Sequence, residues 1–295
     1  MTTDTGQVLT EFLQTLYRLT IDIFLVCGSL VTRPDPLVFY NQPTERKSAM
    51  AQRNNLPAAE RLIVAADFSG ADGRIIVRDK VLWLADQLVD TGVILKANSA
   101  LRAIGYDLID ELHARGLKVF ADLKLNDIKN TMTNDGHLLR EASPYIVTAM
   151  CSMGKAGLQA LKLQLPDTEV LGVTTLTNLT DADTEAMFSC STAEATLRFA
   201  NQAVDAADGL ISSPAELAEL SKRYELVFSF NTPGIRPAWK QKVDGDDQNA
   251  KRVMTPANAI KAGADRIVVG RPITQVPNPL DAVRRTLDEI DEALA

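Results

Sequence analysis

The chain has 295 residues, 46% of them hydrophobic, which is enough to bury a large core and argues against an intrinsically disordered protein. Its 31 basic residues against 38 acidic ones give a net charge of -7, which argues against a surface built to attract nucleic acid or anionic lipid. Cys27, Cys151 and Cys190 form no CxxC pair, and only His113 and His137 are present, so disulfide frameworks, zinc knuckles and histidine-centred relays are poorly supplied.

In chain order, residues 1–60 stand apart as an N-terminal, partly helical extension. An amphipathic start from Thr10 to Leu25 leads into a polar stretch bearing Pro34, Pro36 and Pro43. The first residues lack the basic start of a secretory signal. Arg18 and Asp22 interrupt the apolar stretch from Leu16 to Val31, which is shorter than the ~20 apolar residues of a membrane span. A cytoplasmic protein with no membrane span is the expectation, and the unpaired cysteines suit a reducing compartment. The extension either packs on the following domain or a partner subunit, or has no role, and the sequence leaves both open.

From residue 61 to 295, short β-branched runs alternate with longer amphipathic stretches, the pattern of parallel strands joined by crossover helices. The predicted strands are Leu62 to Asp67, Val93 to Ala97, Lys118 to Leu123, Tyr145 to Ala149, Val170 to Thr175, Gly209 to Ser212, Leu226 to Phe230 and Arg266 to Gly270. Predicted helices include Val77 to Val89, Leu101 to Arg115, Ala193 to Ala206, Pro214 to Arg223 and a closing helix from Leu280 to Leu294. Eight such units in this length match a (β/α)8 TIM barrel, usually ~250 residues, better than an open doubly wound sheet. No Gly-rich dinucleotide fingerprint follows the first strand.

In such a barrel the active site lies at the C-terminal ends of the strands. Here strand one ends at Asp67, strand two reaches Lys96, and strand three runs into Asp122 with Lys124 two residues later. The strand period of two puts Asp122 and Lys124 on one face. Inward charges cost several kcal/mol unless paired, so an alternating Asp, Lys, Asp, Lys array lets all four stay ionised. It is either reactive or a set of salt bridges closing the barrel mouth. Asp127 reads equally as an N-cap, and Asn130 and Thr131 as turn residues. Gly270 and Arg271 fall at the usual phosphate corner of this fold, where Gly270 admits a ligand to backbone N–H groups and Arg271 grips phosphate oxygens. The same pair also fits a tight turn with a solvated arginine. The polar stretch after strand seven, with Asp246, Asp247 and Gln248, reads as a closing lid or an ordinary loop.

Taken together, these segments resemble the orotidine 5'-monophosphate (OMP) decarboxylases, which convert OMP to UMP in pyrimidine synthesis. Asp122 to Thr131, DLKLNDIKNT, is similar to the family's hallmark DLKxHDIPNT. IVAADF around Asp67, Lys96 on strand two, VTTLTN around Thr177, TPGIRP at 232–237, GDDQ before an MTP segment, and VVGRPIT at 268–274 follow in family order. The likeness spans roughly residues 61–290. Asn126 stands where the family commonly has His, Lys129 where it has Pro, and Asn98 where a glycine commonly follows the lysine of strand two. None of these replaces a charged member of the array.

The resemblance implies that Lys124 is the proton donor and that Asp122 faces the substrate carboxylate. Lys96 and Asp67 complete the array and contact the ribose. It implies a homodimer in which Asp127 reaches the neighbouring subunit's site. Thr131 and Thr177 would contact ribose or base, Gln248, Gly270 and Arg271 the phosphate, and Arg236 the ligand. No cofactor, metal or nucleic-acid partner is implied. Two rivals are a metal-dependent sugar-phosphate enzyme of the same superfamily and a non-catalytic nucleotide-binding protein. The former needs an acidic ligand on strand two, where this chain has Lys96, whose ammonium repels Mg2+. Unused buried charge would burden the latter.

Overall fold

A computed structural model describes residue 53, residues 55–240 and residues 253–295. The expected helix from Thr10 to Leu25, Cys27, and the polar stretch holding Asp246, Asp247 and Gln248 lie outside these residues.

Eight parallel strands close into a barrel in sequence order: β1 (Leu62–Ala65), β2 (Ile94–Ala97), β3 (Lys118–Leu125), β4 (Ile146–Met150), β5 (Glu169–Val173), β6 (Gly209–Ile211), β7 (Ser229–Thr232) and β8 (Arg266–Val269). The ring shuts where Ile63 of β1 pairs with Val268 of β8. Parallel neighbours need crossovers, and the described helices supply them. They are α1 (Ala58–Arg61), α2 (Arg74–Leu88), α3 (Ser99–Ile104), α4 (Asp107–His113), α5 (Lys129–Ala142), α6 (Lys155–Gln164), α7 (Asp181–Phe188), α8 (Thr192–Ala203), α9 (Pro214–Tyr224), α10 (Pro256–Lys261), α11 (Arg271–Thr274) and α12 (Pro279–Leu294). None of the described helices is long and apolar enough to cross a membrane.

The alternation of each strand divides the apolar residues between two cores. Leu62 and Val64, Leu95, Val119 and Ala121, Val147 and Ala149 face the helices, whereas Ile63, Ile94, Phe120, Ile146, Leu171 and Val268 fill the barrel interior. Below that layer the interior is polar. Arg266 of β8, only 3% exposed, lies 2.9 Å from Glu169 of β5, and Ser229 of β7 donates to the same carboxylate. The buried guanidinium is tolerable because it faces the half-buried Glu169 carboxylate and also donates to Asn231 Oδ1 (3.4 Å). On the outer rim, Asp208 and Asp265 just precede β6 and β8 and accept the N–H groups of Val170 (2.8 Å) and Phe230 (2.7 Å), tying adjacent strands together.

Two predicted elements need correction. The stretch expected as one helix from Leu101 to Arg115 is α3 and α4, because Gly105 adopts φ 103° and its N–H closes on Leu101 O. The seventh strand begins later than Leu226. Val227 and Phe228 bond back to Tyr224 O at the end of α9, so the ladder starts only at Ser229 and carries Asn231 and Thr232 into the strand. The other strands overlap their expected positions with shifts of one or two residues at the ends.

Candidate active site

The inward-facing column of β1 rises through Ile63 and Ala65 and continues to Asp67; that of β2 ends Ile94, Lys96, and that of β3 ends Phe120, Asp122. The same alternation that fills the interior with apolar side chains thus delivers charge to its C-terminal mouth. There, Asp67, Lys96, Asp122, Lys124, Thr177, Arg236, Gly270 and Arg271 line one cavity of about 220 Å³ with Phe120, Val173, Thr175 and Ile211.

The four charged groups form a continuous chain. Lys96 Nζ is 2.7 Å from Asp67 Oδ2 and 3.1 Å from Asp122 Oδ2, and Lys124 Nζ is 2.7 Å from Asp122 Oδ1. Burial alone would raise the pKa of Asp122. The ammonium groups of Lys96 and Lys124, with their hydrogen bonds, outweigh it and lower the value to about 2. Burial likewise disfavours the Lys96 ammonium, but Asp122 and Asp67 more than compensate and raise its pKa above the ordinary lysine value. Asp122 and Lys96 therefore both stay charged near neutrality.

Lys124 reaches this position through an irregularity. Ala121 pairs with Val147 and Leu125 with Ala149, so β3 carries two more residues than β4 between those pairs. Lys124 sits in the resulting bulge with φ 51°, a left-handed conformation uncommon outside glycine. Its N–H is taken by the side chain of Thr148 (3.0 Å), whose hydroxyl in turn donates to Asp122 Oδ1 (2.9 Å). Asn98 donates to Asp122 Oδ2 (3.3 Å) and accepts from Arg102. The sequence reading missed Thr148, and it noted Asn98 only as a departure from the family pattern.

Two expected site residues are not in this cavity. Asp127 is exposed at the turn into α5, where its carboxylate caps the N–H of Ile128 (2.7 Å), and Thr131 lies in the first turn of that helix. Gln248 lies outside the described residues. A Cβ built on Gly270 meets only Ala65, at 3.7 Å or more, so the protein does not itself fill the space beside this residue. Among the described residues no three His, Cys, Asp or Glu side chains are grouped to hold a metal ion.

Residues 60–286 match the model of the "Orotidine 5'-phosphate decarboxylase / HUMPS family". An orotidine 5'-phosphate decarboxylase of Saccharophagus degradans is 33% identical over 246 residues, covering 81% of this chain and 98% of that protein. One from a Methylobacterium species is 36% identical over 249 residues, covering 81% and 98%. The crystal structure of orotidine 5'-phosphate decarboxylase from Lactobacillus acidophilus superposes with a TM-score of 0.63 at 29% identity, over 79% of this chain and 99% of that one.

Proposed function

The chain belongs to the orotidine 5'-phosphate decarboxylase / HUMPS family, and we propose that it converts OMP to UMP and CO2 in pyrimidine biosynthesis, using the Asp67–Lys96–Asp122–Lys124 array. That array is the observation that carries the reading. The bond from C6 of the pyrimidine to its carboxylate breaks, CO2 leaves, and the electron pair stays on C6. The Lys124 ammonium then delivers a proton to that carbon. Lys96 holds Asp67 and Asp122 in place and, with Asp67, meets the ribose. Thr177 and Thr131 contact ribose or base, Arg236 the ligand, and Gly270, Arg271 and Gln248 the phosphate. Asp127 serves the site of a second copy in a homodimer.

Magnitudes decide which effect dominates. The substrate carboxylate facing Asp122 at about 4 Å costs only ~4 kcal/mol at an effective dielectric near 20, roughly three decades of rate. The larger enzymatic accelerations amount to as much as ~23 kcal/mol. Most of the stabilisation therefore falls to an ammonium already oriented toward the developing carbanion, which needs no reorganisation at the moment of reaction. Phosphate contacts remote from C6 supply binding energy for closing the site and excluding water.

The same family description includes a second branch, and one observation favours the decarboxylase over a metal-dependent site. A metal-dependent site needs oxygen ligands gathered around a divalent cation. Here the Lys96 ammonium sits between Asp67 and Asp122, at 2.7 and 3.1 Å, and occupies that place. The deciding assay follows the ultraviolet absorbance of OMP with purified, chelator-treated protein, beside Lys124→Ala. Conversion by the wild type and a loss of roughly 10³-fold or more in the variant are expected. A folded protein that leaves OMP intact but acts on sugar phosphates with Mg2+ would overturn the reading. The buried free thiols of Cys151 and Cys190 suit work in a reducing cytoplasm.

A further inference from the structure

We propose that Thr148 is a positioning residue that locks the proton donor and its carboxylate partner into one geometry through a single hydroxyl. The proposal rests on the decarboxylase reading, because it concerns the Lys124 and Asp122 of that mechanism. Thr148 is fully buried in β4 and points inward, above Ile146 of the interior core. It is not among the residues lining the cavity, so it acts only through its neighbours.

The bulge in β3 creates the need for it. Between the Ala121–Val147 and Leu125–Ala149 pairs the ladder to β4 is broken, and the backbone N–H of Lys124 faces β4 without a strand carbonyl. A buried N–H left unpaired is destabilising, because it forfeits its bond to water without replacement. Thr148 Oγ1 accepts it at 3.0 Å. A hydroxyl has one proton to give, and Thr148 gives it to Asp122 Oδ1 at 2.9 Å, the same oxygen that receives Lys124 Nζ at 2.7 Å. The result is a closed circuit, from Lys124 N–H to the hydroxyl, from the hydroxyl to Asp122, and from Asp122 back to the ammonium of Lys124. It fixes both ends of the lysine, whose backbone would otherwise relax from its φ of 51°. Valine, nearly the same shape, offers neither donor nor acceptor, and serine offers both without the methyl group.

The test compares Thr148→Val, Thr148→Ala and Thr148→Ser in the full chain, with kcat and KM for OMP and thermal stability measured for each. A displacement of the reacting group by about 1 Å is worth roughly 10²-fold in rate. Val and Ala should therefore each lose about that much in kcat while KM stays within about threefold, and Ser should recover to within about fivefold of wild type. Val keeps the packing and Ala relieves any clash, so at least one folded variant without the hydroxyl is available. Amide exchange at Lys124 provides a readout independent of turnover, and its protection should fall in Val and Ala but not in Ser. A wild-type kcat in either hydroxyl-free variant overturns the proposal and leaves the decarboxylase reading standing. So does a loss in Ser as deep as in Val. Wild-type protein inert toward OMP removes the decarboxylase reading, and with it the catalytic meaning of Thr148.

Discussion

Asp122 is 6% exposed and receives hydrogen bonds from Lys96, Lys124, Thr148 and Asn98. Its folded pKa of about 2 lies below the 3.8 of an ordinary aspartate, so the stability it contributes is fully present above about pH 4 and is lost as the pH falls from there toward 2. At 1.36 kcal/mol per unit this amounts to about 2 kcal/mol. In denaturant unfolding at pH 5, 4, 3 and 2, the gap between wild type and Asp122→Asn should narrow by that amount toward the acid end. A gap independent of pH would contradict the account. The charged residues were legible in the sequence because each interrupts or ends an apolar run, where a charge needs an explanation. Thr148 was not, since a threonine within Ile-Val-Thr-Ala-Met looks like one more β-branched strand residue. Only the register of β3 against β4 shows what its hydroxyl faces.

Elements obey the same logic. The eight strands could be read from β-branched alternation, but the expected start of β7 falls three residues early, because the hydrogen bonds that postpone it come from the end of α9. Gly105 splits the third and fourth helices through a backbone angle, which an apolar periodicity running from Leu101 to Leu112 conceals. Gly209 in β6 likewise has a purpose visible only in the packing. A methyl group there would fall on Ser229 Oγ and lie 2.7 Å from Leu171 Cδ2 and from Ser229 O. Ser229 donates to Glu169, the partner of the buried Arg266, so the intrusion also disturbs that ion pair. Gly209→Ala should cost about 2–3 kcal/mol of unfolding free energy, with part recovered by adding Ser229→Ala. An unaltered denaturation midpoint in Gly209→Ala would show that β6 and β7 can separate without penalty.

The whole barrel divides into a charged mouth, an apolar middle and a polar floor, and composition anticipated only the middle. Asp127 belongs to none of these layers, standing exposed and away from the cavity of its own chain. Its proposed work in a neighbouring copy has a distinctive signature. In a two-fold dimer, each interface contact is made twice. Mixing inactive Lys124→Ala with inactive Asp127→Ala, after subunit exchange, therefore creates hybrid dimers with one intact site. Random pairing should restore about one quarter of wild-type activity. No recovery despite demonstrated exchange would confine Asp127 to its own subunit.

The two lysines of the array differ in one further respect. Lys96 has a side chain 7% exposed and wedged between two carboxylates, whereas that of Lys124 is 30% exposed. On the proposed chemistry, Lys96 keeps its proton through the whole cycle as a permanent counter-charge. Lys124 gives its proton away and takes another from water before the next substrate arrives. Every turnover thus withdraws one hydrogen ion from the medium, and the hydrogen newly attached at C6 of UMP bears the isotopic label of the water in which the protein is working.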